Sequence, residues 1–320
     1  MGISWELDVI TAGSPSGEFG MERISLTSLI CSLLITTAAW GQSQKYRVQY
    51  AWPVGSYTLK AEQATSGVPD HVEAFFGQNE SSSVTLSIIA DPPAANRQTL
   101  HLAYKSISRR LIVDANHTIE YSSDRVSGMA DPPEGAWRDI LGISFDMVLR
   151  SAQEGPEFPG MDKLWKKIES DPSADFYLAS EQQIHGEKYL RTLFSQCLPF
   201  LPTTAVAVGE TWQQALPQQS GSLHLALHET GTLKSVTGTA DGQIGEVNLS
   251  GEMEIPLPDF HASVTKTISA SALLNIDTGQ PIKTELVNVM IWHIPGKPMP
   301  PITTKFVATF TKQSASMHGS

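Results

Sequence analysis

The chain has 320 residues, 41% of them hydrophobic, and 22 lysines and arginines against 33 aspartates and glutamates give a formal net charge of −11. An acidic balance of this kind offers no electrostatic footprint for nucleic acid or for an anionic membrane surface, so neither partner is expected. Of the two cysteines only Cys197 lies beyond the first 41 residues, which excludes an internal disulfide from the remainder and leaves stability to a packed core.

Residues 1–20 carry no sustained apolar period and read as an upstream extension without stable structure. From Met21 the pattern is that of a secretory signal peptide over residues 21–41. Arg23 supplies a charged start, residues 24–39 a mostly apolar run, and Ala39 and Gly41 the small side chains that signal peptidase needs. The run is shorter than the ~20 apolar residues that span a bilayer, so no stable transmembrane helix is expected after cleavage. Ile30 precedes Cys31 where a lipidation signal wants a small residue, which argues against a lipid anchor. Beyond residue 41 there remain 21 bases and 29 acids, a net charge of −8. The expected location is periplasmic or secreted.

Residues 42–320 read as one β-rich domain in three parts: a first strand series (42–130), a helical segment (131–200) and a second strand series (201–320). Tyr46, Val48, Tyr50 and Trp52 alternate with polar residues and predict a half-buried strand. The same period follows at Tyr57, Leu59 and Ala61, at Val84, Leu86 and Ile88, and at Leu100, Leu102 and Tyr104. Residues 111–121, broken at Asp114-Ala115-Asn116, predict a hairpin.

At Asp131-Pro132-Pro133 the period changes. Asp131 suits an N-cap, and Trp137, Ile140, Leu141, Ser144, Phe145 and Val148 recur at helical spacing, predicting a helix to about residue 148. A short amphipathic helix is expected over 162–169, with Leu164, Trp165 and Ile168 inward. Another is expected over about 180–197, with Leu190, Leu193, Phe194 and Cys197 on one stripe.

The segment 198–212, LPFLPTTAVAVGETW, then ends the helix with Pro199 and Pro202 and restarts the chain as extended structure, with a turn or bulge at Gly209. Further strands are expected around Leu223 to Leu227, Val247 and Leu249, Met253 to Leu257, and Ile268 to Ile276. Asp277-Thr278-Gly279 makes a turn, residues 282–292 read as a strand covered on both faces, and Phe306, Ala308 and Phe310 mark the last strand.

The candidate chemistry is sparse. His224 and His228 stand four residues apart on a strand, roughly 13 Å at ~3.3 Å per residue, too far to share a zinc ion bound at about 2 Å. Glu252 and Glu254 stand roughly 7 Å apart on one strand face, a separation that matches a glycosidase carboxylate pair, but alternating acids on a solvent-facing strand look the same. Ser144 lacks the second glycine of a nucleophile elbow and reads as a packing serine. Cys197, on the apolar side of a helix, reads as a buried inert thiol. No catalytic set, metal site or cofactor is therefore predicted. What remains is an aromatic and methionine set, Tyr50, Trp52, Trp137, Phe145, Met147, Met290 and Trp292, which either fills a core or lines a cavity between sheet and helices.

The Leu201-Pro202 and Val206 to Trp212 residues, in an LP…VxVGxxW pattern, with the later Asp277-Thr278-Gly279 turn, resemble a family of uncharacterised exported bacterial proteins. In architecture alone the chain is similar to the periplasmic lipoprotein carriers, whose open half-barrel sheet is covered by helices and holds acyl chains. The expected fold is α+β: a large, curved antiparallel sheet, an open half-barrel, with the mid-chain helical segment packed on it. The expected function is that of an exported, non-catalytic binding protein for an apolar or lipidic ligand. The alternatives are an envelope interaction or scaffold protein that binds a protein or glycan through a sheet face, and an unrecognised hydrolase.

Overall fold

A computed structural model describes residues 44–68, 79–94, 97–112, 117–124, 134–150, 156–170, 185–220, 223–257 and 261–313. The predicted extension and signal peptide fall outside the described residues, as does the predicted N-cap Asp131. No helix among the described residues is long and apolar enough to cross a membrane.

The strand series build one open antiparallel sheet. In chain order its strands are β2 (Gly55–Ser66), β3 (Glu80–Ala90), β4 (Gln98–Ile112), β5 (Thr118–Ser122), β6 (Ser144–Leu149), β8 (Thr211–Ser220), β9 (Leu223–Thr239), β10 (Gly242–Leu257), β11 (Ala262–Asn275), β12 (Pro281–Ile294), β13 (Lys297–Pro298) and β14 (Ile302–Lys312). Two further short strands, β1 (Lys45–Tyr46) and β7 (Val206–Ala207), pair only with each other. Across the sheet the order is β5-β4-β3-β2-β14-β12-β11-β10-β9-β8, with β6 on β4 and β13 on β12. The ends do not meet, so the sheet does not close into a barrel. The last strand joins the two series: β14 lies between β2 and β12, matching Phe306 to Gln63 on one side and to Leu286 on the other.

Period-two alternation decides which face is buried. Tyr57, Leu59 and Ala61 of β2, Val84, Leu86 and Ile88 of β3, Leu100 and Leu102 of β4 and Phe306, Ala308 and Phe310 of β14 are all at most 4% exposed. We call the side they share the core face. Each such aliphatic or aromatic side chain contributes about 1.5–3 kcal/mol on burial. The three described helices, α1 (Glu134–Ile140), α2 (Met161–Glu169) and α3 (Glu187–Cys197), add Trp137, Ile140, Met161, Trp165, Leu190, Leu193, Phe194 and Cys197 to this same cluster. A smaller cluster forms where Val48, Leu201 and Val206 meet Leu233, Val247, Leu249 and Leu274.

Two expectations are corrected. The helix predicted to about residue 148 stops at Ile140. Gly142, at φ 76°, turns the backbone and its N–H donates to the Tyr104 carbonyl at 2.9 Å. Ser144–Leu149 then pairs with β4, Phe145 opposite Leu102 and Met147 opposite Leu100. Phe145, Met147 and Val148 satisfy a period of two about as well as 3.6, and the strand won because β4 offered an open edge. Ser144, expected to be a packing serine, is accordingly exposed.

The predicted first strand is the second correction. Residues 46–52 keep their alternation, with Val48 and Trp52 each 1% exposed, but only Lys45–Tyr46 joins a ladder. The segment runs instead between the two clusters, Val48 belonging to one and Trp52 to the other. Elsewhere the strands expected around Leu223 to Leu227, and around Val247, Leu249 and Met253 to Leu257, lie in β9 and β10, single strands of 17 and 16 residues. Residues 282–292 are covered less than expected: Glu285 is exposed and so is Ile291, at 37%.

Candidate functional site

The seven side chains singled out from the sequence do not share one space. Trp52 packs edge-on against Tyr57 and Phe310, with ring centroids 5.2 and 5.3 Å away. Trp137, Phe145 and Met147 are 1%, 8% and 0% exposed within the larger cluster. Tyr50 packs against the smaller one and donates its hydroxyl to the Pro199 carbonyl at 2.9 Å. Burial pushes the Tyr50 phenol well above its usual value, and Cys197 nearby adds to the rise. These five are packing residues in the described structure. Met290 and Trp292 lie elsewhere, together, on the core face of β12.

The strand registers build the surroundings of Met290 and Trp292 row by row. In the row that still belongs to the packed clusters, Trp212 faces Gly231, Leu249 faces Ala270, and Leu286 faces Phe306. Two residues further along each strand comes a polar row: Gln214 opposite Glu229, Gly251, Ile268, Asn288 opposite Thr304, and Thr65. Gln214 Nε2 donates to Glu229 Oε2 at 2.8 Å and the Thr65 and Thr304 hydroxyls are 3.2 Å apart. Asn288 Oδ1 is buried with no hydrogen-bond partner among the described residues.

Past this polar row the face turns apolar again. Met253 faces Lys266, which faces Met290, which faces Ile302. Beyond them Ile255 faces Val264 and Val264 faces Trp292. Leu227, Met253, Val264 and Ile302 are buried, yet they belong to neither packed cluster. Lys266 is the exception in this row. Its side chain is half-buried, it makes no hydrogen bond or ion pair among the described residues, and desolvation pulls its amine below the usual lysine range while Glu229 acts in the opposite direction. A partly buried ammonium among methionines, without a hydrogen bond or ion pair among the described residues, is costly. From the sequence, Lys266 looks like any solvent-facing residue of a strand; only the register reveals its neighbours.

The opposite face is different. One register row there reads Thr211, Thr232, Asn248, Ser271, Glu285, Val307, Glu62, Ser83, Ser108 and Ser122 across ten strands. At its first-series end an open trough of about 450 Å³ is lined by Ser81, Ser83, Ser108, Glu62, Arg110 and Glu120 among others. Its charges are already matched, Arg110 with Glu120 at 3.2 Å and Lys60 with Glu62 at 2.7 Å.

The weighed chemical candidates occupy ordinary positions. Glu252 and Glu254 are exposed on β10, on the face away from Met253. His228 is exposed on β9, and no group of three or more metal-ligating side chains suited to an ion occurs among the described residues. Cys197 is fully buried and its thiol is raised well above the usual range by desolvation. His101 is the titratable group the sequence reading missed: its Nδ1 is 2.7 Å from Asp146 Oδ1 and its Nε2 3.1 Å from Asp91 Oδ2.

Comparison with known proteins adds a family and little else. Residues 95–279, more than half of the chain, match DUF6263, a family of unknown function. No curated protein matches the chain. Among solved structures, a DUF1329 family protein from Desulfovibrio piger is similar at 6% identity over 90% of this chain and 92% of its own, with a TM-score of 0.18. A structure described as "Asymmetric conductivity of engineered proteins" is similar at 10% identity over 81% of this chain and 99% of its own, with a TM-score of 0.16. Likenesses at these scores carry no argument about fold or function.

Proposed function

We propose that this chain, which belongs to the DUF6263 family, is an exported, non-catalytic binding protein whose apolar or lipidic ligand lies along the core face of its open sheet, with the mid-chain helices covering the neighbouring part of that face. One observation carries the reading: the core face remains apolar beyond both packed clusters, at Met253, Val264, Met290 and Trp292, on the far side of a polar row that separates it from them. A row needed only for packing would be continuous with the core. Ligand sites are commonly apolar surfaces carrying a few placed polar groups, which is the composition found here. Native mass spectrometry of protein purified from its own envelope tests the proposal. A bound mass released by organic solvent is the expected result, and a clean apo mass that stays unchanged on incubation with lipid extract sinks it.

A second reading is favoured by the trough and hydroxyl-rich row of the opposite face: an envelope protein that binds a glycan or another protein there. Co-purification of a macromolecule, lost on Ser83→Arg and retained on Met290→Asp, would select this reading over the first.

A further inference from the structure

Lys266 makes the binding proposal more specific. Its row on the core face holds Met253 on one side and Met290 on the other. The carboxylate that acts on it, Glu229, stands in the adjacent polar row, where Gln214 already donates to it at 2.8 Å, and no ion pair joins the two. Gly251 stands on the strand between theirs, and Glu229 and Leu227 fill the space over it: a Cβ there would come within 3.1 Å of Glu229 Cγ and 3.3 Å of Leu227 Cδ1. Asn288 pairs with Ile268 while Lys266 pairs with Met290, so the two are diagonal neighbours on one face, roughly 7–8 Å apart at the backbone. Asn288 Oδ1 is the buried acceptor with no partner among the described residues. A lysine donor and an amide acceptor, each without a hydrogen-bond partner among the described residues, therefore occupy diagonal positions at the inner border of the apolar rows. A neutral hydrocarbon would leave both unsatisfied; an anionic end would pair with the ammonium, and a head group that also carries an O–H, as a phosphate monoester does, would in addition donate to Asn288 Oδ1, while the apolar part lies along the half-buried Met290 and Trp292.

We propose, resting on the binding reading above, that the ligand is an anionic amphiphile, an apolar chain ending in one carboxylate or phosphate group, and that Lys266 holds that group with Asn288 beside it. Burial of the ammonium against an anion in this setting sets the size of the effect, because a hydrogen bond to a charged group in a partly desolvated site is worth about one to two orders of magnitude in affinity.

The test is isothermal titration of the delipidated protein, purified from its native source, with three probes of one chain length: laurate, dodecyl phosphate and dodecanol. At least one of the two anions is expected to bind about 10- to 100-fold more tightly than dodecanol, and the tighter of the two identifies the head group. Lys266→Met should abolish that preference, whereas Lys266→Arg should retain it. Equal affinities for anion and alcohol in the unmodified protein, a comparison that needs no variant to fold, overturn the assignment of an anion while the binding reading stands. A preference that survives Lys266→Met overturns the role of Lys266. Failure of all three probes to bind overturns both.

Discussion

Gly231 offers the sharpest test of how the second strand series is anchored. It sits on β9 directly opposite Trp212 of β8, and the indole occupies the space where a side chain at 231 would go. A Cβ built at residue 231 would be 2.6 Å from Cζ2 of that indole and closer still to Cε2 and Nε1. Trp212 has little room to yield: its Nε1 donates to the Phe200 carbonyl at 3.4 Å and its ring packs against the Val48, Leu201 and Val206 cluster. Gly231→Ala should gain about 0.5–1 kcal/mol from lower chain entropy and lose about 1–3 kcal/mol from overpacking. The net expectation is a destabilisation of about 1–2 kcal/mol, a fall in Tm of roughly 2–8 °C for a domain of this size. Urea unfolding followed by tryptophan fluorescence and by circular dichroism measures it. The same substitution in a Trp212→Ala background should reverse sign and stabilise by about 0.5–1 kcal/mol, because the obstruction is gone and the entropy gain remains. A Gly231→Ala protein as stable as the parent, or a double variant in which the two costs simply add, would refute the argument that residue 231 is glycine because of the indole.

Three further expectations rest on side chains that the fold buries or brings together. Gln98, 6% exposed, donates from Nε2 to the Trp52 carbonyl at 2.6 Å and to the Asp91 carbonyl at 2.9 Å, and accepts from the Trp52 N–H at 3.1 Å. Gln98→Leu strips a buried backbone donor and acceptor of their partners and should cost about 2–4 kcal/mol in urea unfolding, with under 1 kcal/mol counting against this account of the Trp52 segment. The hydrogen bond that the ring donates to Asp146, with the charges of Asp146 and Asp91, raises the His101 imidazole above its ordinary value against a smaller desolvation effect. The folded state thus favours the protonated ring: its contribution is complete below pH about 6.5 and is lost as pH climbs through the raised folded value. The stability difference between the parent and His101→Gln should therefore be larger at pH 5.5 than at pH 9, and a pH-independent difference would rule the linkage out. Cys197, fully buried and held as the thiol, should not react with a disulfide reagent in the native protein and should react once on unfolding; rapid native labelling would show that this part of the core opens.

Much of the sheet was legible in the sequence because its signal is local. Tyr57, Leu59 and Ala61, or Phe306, Ala308 and Phe310, declare a buried face within six residues, and the structure buries all of them. The turn at Gly209, which lets its N–H reach the Leu233 carbonyl at 2.7 Å, and the turn at Gly279, at φ 77°, were legible for the same reason. Periodicity fails where two periods fit the same letters. Phe145, Met147 and Val148 fit helix and strand alike, and the outcome depended on the free edge of β4, a partner more than forty residues away. It fails again at 46–52, where alternation survives without a ladder, since burial needs only a face and a hydrogen-bonded strand needs a neighbour. The candidate site was legible in part: Met290 and Trp292 were named, but the five residues named with them belong to packing, and Lys266 and Asn288 were invisible. Their interest lies in who stands opposite whom across β10, β11 and β12, and register is a property of pairs of strands that no single stretch of sequence contains.

An open sheet of this size must also protect two edges, and the chain does so by different means. β5 is only five residues long, so the template it offers for another chain is short. β8 is ten residues long and carries Pro217, which cannot donate a ladder hydrogen bond and is tolerated on an edge strand. The order of the strands puts β14, the last in sequence, next to β2, so the pairs that join the two series span nearly the whole chain and the ends of the domain are fixed in the sheet's interior rather than at its margins. The consequence for function is geometric. With both edges blunted and the centre clamped, the two faces differ in character: one carries hydroxyls and matched charges, the other apolar rows interrupted by Gln214, Glu229, Asn288 and by Lys266, which has no ion pair among the described residues. That interruption sets the apolar rows at Met253, Val264, Met290 and Trp292 apart from both packed clusters, and the binding proposal rests on it.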